Sequence, residues 1–206
     1  MLYEYLTEKY KPNEPIFVSD ISLPVSDVNL RQMFKVLCDS GKIKRFETGI
    51  YYLPKQSRLQ GGVPLEAETV ARYKYISRNG SIEGYYSGYT FANQLGVTTQ
   101  VPYVIEIVSN NASSKVREIK LQGLRVILRK ARVSVSEENY RVLQFLDFLK
   151  DADMYIEISK EAFYERIRKY VKDEQIKKVD IDTYIKDYPD RIFRYIYEMG
   201  LYDAFA

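Results

Sequence analysis

Between Ser26 and Gly41 the polar residues Asn29, Arg31, Gln32 and Lys35 bring together amide and cationic side chains, the kinds that reach base edges and phosphate oxygens in a DNA groove. The apolar residues of the same stretch, Leu30, Met33, Phe34, Leu37 and Cys38, fall at i, i+3, i+4, i+7 and i+8. That period predicts a helix with one buried stripe and leaves the four polar side chains facing solvent. Lys42, Lys44 and Arg45 follow at once, so helix and following segment offer a basic surface broken mainly by Asp39 and Glu47. A second basic stretch, Lys115 to Arg132, places Arg125 and Arg129 on one face of an expected strand, opposite Leu124, Val126 and Leu128. Such a face suits further phosphate contacts or simple solvation.

Residues with catalytic potential are few. One cysteine and no histidine rule out an internal disulfide, a His-containing zinc site and any His-based acid–base shuttle. Cys38 lies on the apolar side of its helix and reads as a core thiol. Gly84-Tyr-Tyr-Ser-Gly88 lacks the spacing of a nucleophile elbow, and with no histidine to activate it, Ser87 reads as a helix N-cap. The acid pairs Glu66 with Glu68 and Asp180 with Asp182 are suited in principle to Mg²⁺, yet each sits at an expected helix start, where carboxylates favour the dipole. No phosphate loop, dinucleotide fingerprint or CxxC pair is present. The expectation is a binding protein rather than an enzyme, with no catalytic residue, no metal and no cofactor.

The elements that must hold the basic surface follow from periodicity and punctuation. Residues 2 to 10 predict a short helix with Leu2, Leu6 and Tyr10 on one side, closed by Pro12. Residues 17 to 21 predict a brief second helix, and 26 to 40 a third, N-capped by Ser26 and ended by Gly41. Residues 42 to 46 and 50 to 54 predict a hairpin turning at Thr48-Gly49. Three helices and a hairpin in this order predict a winged helix-turn-helix over residues 1–60. The same module also serves protein–protein docking elsewhere, so a partner protein is the rival occupant.

Lys55-Gln-Ser-Arg-Leu-Gln-Gly-Gly62 reads as a polar linker. Beyond it, residues 61–206 predict a larger mixed α/β domain, giving an α+β protein overall. Its expected parts are a helix over 65–78 and a small sheet within 81–130, with strands at 81–84, 103–108, 116–121 and 124–130 and a helix at 87–95. A helical tail occupies 131–206, with helices at 137–150, 160–173, 181–188 and 189–199.

Of 206 residues, 46% are hydrophobic and 29% charged, the make-up of a globular chain. No apolar run reaches the roughly 18 residues of a membrane span, and the first residues lack the basic-then-apolar order of a signal peptide; a cytoplasmic protein is expected. The net charge of +3 hides an asymmetry: residues 1–130 hold 18 Lys/Arg against 12 Asp/Glu, and 131–206 hold 13 against 16. A polyanion would favour the first part.

Two stretches carry a family resemblance: the block ending Gly49-Ile-Tyr-Tyr-Leu-Pro-Lys55, and Gly84-Tyr-Tyr-Ser-Gly-Tyr-Thr-Phe-Ala-Asn-Gln-Leu-Gly-Val-Thr-Thr-Gln-Val-Pro102. Together the chain resembles the AbiEi antitoxins of abortive-infection toxin–antitoxin systems, over about its first half. The resemblance implies an N-terminal winged helix-turn-helix that represses the operon's own promoter at inverted repeats. It also implies a C-terminal antitoxin domain that opposes a nucleotidyltransferase-like toxin without requiring a stable complex. Read on its own residues, Leu95 to Pro102 is a structural turn in which Gly96 ends a helix, Pro102 opens a strand, and Thr99 and Gln100 are best placed for polar work.

Overall fold

A computed structural model describes residues 1–55 and 63–204. The architecture is α+β, and the chain divides into two compact units, residues 1–70 and 71–206. The linker expected at 55–62 falls almost wholly outside the described residues.

In the first unit, α1 (Leu2–Lys9) buries Leu2 and Leu6. The short strand β1 (Ile16–Phe17) and a single 3-10 turn (Val18–Asp20) stand where residues 17–21 predict a second helix. Ile16 and Phe17 are claimed by strand pairing with a later strand, leaving too few residues for an α-helical nucleus. Helix α2 (Asp27–Asp39) begins as expected, with the Ser26 hydroxyl accepting from the Asn29 amide. Gly41 adopts φ +72° just past its end, a conformation a side chain would strain. Strands β2 (Lys44–Glu47) and β3 (Ile50–Tyr52) form the hairpin, and β3 lies central in an antiparallel sheet of order β1-β3-β2. Leu30 and Phe34 of α2 pack with Leu2, Leu6, Ile16 and Ile43, and the Phe34 and Tyr51 rings stand 4.7 Å apart.

The first unit extends to Val70 rather than residue 60 because Asn13 ties the later segment down. Held at φ +60°, Asn13 donates from Nδ2 to the Val63 carbonyl at 3.2 Å and accepts the Lys55 amide at 3.2 Å. Helix α3 (Ala67–Tyr75) runs across the boundary. It stops short of the expected residue 78, because Asn79 and Gly80 take left-handed conformations and turn β4 (Ser77–Arg78) back onto β5 (Ser81–Ile82).

The second unit is organised by a four-stranded sheet of order β6-β7-β9-β8, from β6 (Gly84–Tyr86), β7 (Val104–Ser109), β8 (Val116–Leu121) and β9 (Leu124–Lys130). The β7/β9 pair is parallel and the others antiparallel. Helix α4 (Gly88–Gln94) lies between β6 and β7 in the chain. The expected helical tail is present: α5 (Tyr140–Leu149), α6 (Lys160–Asp173), α7 (Lys178–Tyr184), α8 (Arg191–Glu198) and α9 (Leu201–Ala204). Helix α5 buries residues on nearly every side, from Val142 and Leu143 to Phe148 and Leu149. It starts three residues later than expected because the Asn139 carboxamide accepts the Ser136 amide in a preceding turn. Phe148 touches the rings of Phe91, Tyr155 and Phe163, making α5 the axis of this core.

Candidate functional site

The polar face of α2 forms as its period dictates: Asn29, Arg31, Gln32 and Lys35 are exposed, while Leu30 and Phe34 are buried behind them. Arg31 and Lys35 have no ion-pair partner among the described residues. Val28 and Val36, at 72% and 55% exposure, interrupt this surface with apolar side chains. Cys38 is half-buried against the core beneath rather than fully enclosed.

The hairpin cations are less free. The Lys42 ammonium lies 5.1 Å from the centre of the Tyr3 ring, and Lys44 is half-buried in its strand. Arg45 folds over the turn, donating to the Thr48 hydroxyl at 2.7 Å. The positive excess of residues 1–130 also falls outside this unit, since residues 1–70 hold 9 Lys/Arg against 9 Asp/Glu and residues 71–130 hold 9 against 3.

In the second unit Arg125 and Arg129 share a sheet face, as their alternation predicts. Each is committed to a carboxylate two residues along a neighbouring strand. Arg125 binds Glu118 through two hydrogen bonds, 2.7 and 2.9 Å, which hold that carboxyl below its usual range. Arg129 reaches Glu106 at 3.1 Å.

The register explains what gathers beside this face. Tyr85, Val108, Arg129 and Val116 lie opposite one another across all four strands. This row floors a cavity of about 760 Å³, walled on another side by the end of α5 and the 3-10 turn Ala152–Met154. Glu106 crosses it with Oε1 accepting the Tyr89 amide at 3.2 Å. Gly88, at φ +54°, lies so close that a Cβ there would overlap the Glu106 carboxylate. From α5, buried Asp147 binds Lys150 at 2.9 Å, and Lys150 also reaches Asp151 at 2.9 Å. Burial, and then the carboxylates of Glu106, Asp151 and Asp147, push the Tyr155 hydroxyl far above its ordinary range, so it stays protonated.

Ser87 lines the same cavity at 5% exposure. It occupies the N-cap position of α4, but its side chain makes no capping bond, and Oγ is buried with no hydrogen-bond partner. The expected capping role therefore fails. Arg129, Lys130, Arg132 and Lys115 were legible as a basic stretch, whereas Glu106, Asp147, Lys150 and Tyr155 escaped notice. The available signal was a lone carboxylate within apolar runs, Val104-Ile-Glu-Ile-Val108 and Phe145-Leu-Asp-Phe148.

The Leu95 to Pro102 motif is structural. Glu157 receives the Thr98 hydroxyl at 2.6 Å, the Thr99 amide at 3.0 Å and the Gln100 carboxamide, and its own amide donates to Val97 at 2.9 Å. These bonds, led by Thr98, hold the Glu157 carboxyl below its ordinary range. Of the acid pairs, Asp180 accepts the Lys177 amide at 2.9 Å at the start of α7, as a helix-start carboxylate does. No cluster of three metal-ligating side chains occurs among the described residues.

Two units, one presenting an exposed helix and hairpin and one enclosing a charged cavity beside a mixed sheet, make up an α+β protein. Residues 7–179 match the DUF6088 family, a family of unknown function, and the chain belongs to it. Comparison with curated proteins finds no match. Among the described residues no helix is long and apolar enough to cross a membrane.

Proposed function

We propose that the chain is a cytoplasmic DNA-binding regulator whose first unit is a winged helix-turn-helix. The observation that carries this reading is α2: Arg31, Gln32 and Lys35 are exposed on the side opposite the buried Leu30 and Phe34. The hairpin β2–β3 follows it, the order in which such domains place a groove-reading helix and a wing. Asn29 and Lys42 flank the helix ends, and Lys44 and Arg45 supply wing contacts to the backbone. In the second unit Arg125 and Arg129 contribute less, because carboxylates already neutralise them.

The resemblance of Gly84–Pro102 to AbiEi antitoxins supports the fuller reading, an antitoxin that represses its own promoter at inverted repeats and opposes a nucleotidyltransferase-like toxin. No cofactor and no enzymatic step enter it. The test is a titration of the whole protein on DNA from its own upstream region at two salt concentrations. Binding to that DNA should be sequence-preferring and fall steeply with salt through counterion release. No binding at low salt overturns it. Rescue of growth on co-expression with the neighbouring gene tests the antitoxin role separately.

One observation favours a second reading, a module that docks a partner toxin through α2. The first unit is charge-balanced, and Val28 and Val36 are exposed on the same helix. A contact of that kind would weaken little with salt, which separates the two.

A further inference from the structure

We propose that the cavity of the second unit binds a small organic phosphate, gripped by Ser87 in its wall and by Lys115, Lys130 and Arg132 at its rim. The first ground is Ser87 itself. Its hydroxyl is buried without a partner, and a group left so costs on the order of 1–3 kcal/mol. Folded proteins rarely leave such a group unmatched, and a ligand oxygen entering the site would complete it.

The second ground is charge. Five cations line the cavity against three carboxylates. Arg129 is held by Glu106, and Lys150 lies between Asp147 and Asp151, so those acids are spent within the wall. Lys115, Lys130 and Arg132 have no ion-pair partner among the described residues and are exposed where they meet the opening. Three cations outside ion pairs, of which Arg132 also lies 5.8 Å from the centre of the Tyr188 ring, and a hydroxyl suit a ligand with several oxygens and more than one negative charge.

The third ground is room. About 760 Å³ is the size of a small-molecule site and exceeds what a bare phosphate fills. Tyr85, Val108 and Met154 offer apolar contact to an organic body. A duplex presents the same phosphate chemistry to the rim cations alone, whereas Ser87 belongs to the cavity wall. The site is therefore independent of the DNA reading, which rests on the first unit.

Calorimetric titration of the full chain with inorganic pyrophosphate and with ADP, using adenosine as the phosphate-free probe, tests it. At least one phosphate probe should bind saturably and adenosine should not. Ser87→Ala and Lys130→Ala should each weaken that binding about tenfold, while Arg125→Ala, on the same sheet face but outside the cavity, should leave it unchanged. Circular dichroism of each variant establishes that it folds. The proposal is overturned if neither probe binds, if Arg125→Ala costs as much as Lys130→Ala, or if a short duplex displaces the probe and Ser87→Ala has no effect.

Discussion

In the first unit Arg31 and Lys35 stand on an exposed helix, free of ion pairs among the described residues, in a stretch whose total charge is balanced. In the second, Arg125 and Arg129 lie on a sheet within a stretch holding three times as many cations as acids, yet both are bound to carboxylates. A local charge count therefore does not tell which cations are available. The exposed helix leaves its few cations open to solvent. The sheet ties Arg125 and Arg129 to carboxylates, while Lys130, with Lys115 and Arg132 beyond the strand ends, borders an enclosed space.

If the contrast reflects two separately built surfaces, damage to one core should spare the other. Phe148→Ala removes the ring at the axis of the second core and should cost about 3–5 kcal/mol. Hydrogen exchange should then show protection lost in residues 71–206 and kept in 1–70; loss in both would make the units one cooperative block. Next in size, Arg31→Ala should weaken promoter binding by about 1–3 kcal/mol if it reads a base edge. Lys35→Ala should lower the salt slope by about one if it meets a phosphate. Normal affinity and slope in both would strip α2 of its groove role.

A smaller effect is expected at Gly88. Gly88→Ala forces a side chain into a left-handed conformation and against Glu106, which must release either the Tyr89 amide or Arg129. A loss of about 1–2 kcal/mol in thermal unfolding is expected from the backbone alone, with promoter binding untouched. Smallest is a pH effect at the Leu95–Pro102 motif. The Glu157 carboxyl is lowered from 4.5 in the folded protein, so its bonds add stability above that value and lose it as pH falls through the lowered one. Wild type should therefore lose stability between neutral and acid pH more than Glu157→Gln does, as unfolding midpoints would record; equal losses would leave the motif without an electrostatic role.

Much of this was written in local sequence. The apolar period of 30–38, the Ser26 cap and the Thr48-Gly49 turn specify their elements through neighbours a few residues away, and these formed where expected. The miss at residues 17–21 arose because Ile16 and Phe17 pair with Ile50 and Tyr51, a competitor more than thirty residues distant. The cavity was illegible for the same reason. Its floor is a cross-strand row, so Tyr85, Val108, Val116 and Arg129 become neighbours only through the register. Arg125 and Arg129 were placed on the right face, but the acids that neutralise them come from other strands.

The sheet order has a kinetic consequence. Strands β8 and β9 are joined by Gln122 and Gly123, both with positive φ, a turn matched to the twist of a hairpin, and pair over six residues. Such a hairpin closes in about 1–10 μs. Strand β9 must then slot between β8 and β7, which precedes both in the chain, in a parallel pairing of residues about twenty positions apart. That insertion carries the larger loop-closure entropy and belongs to the late, slow stage of folding. Val108 and Arg129 meet only in that step, so the cavity floor is incomplete until it has happened.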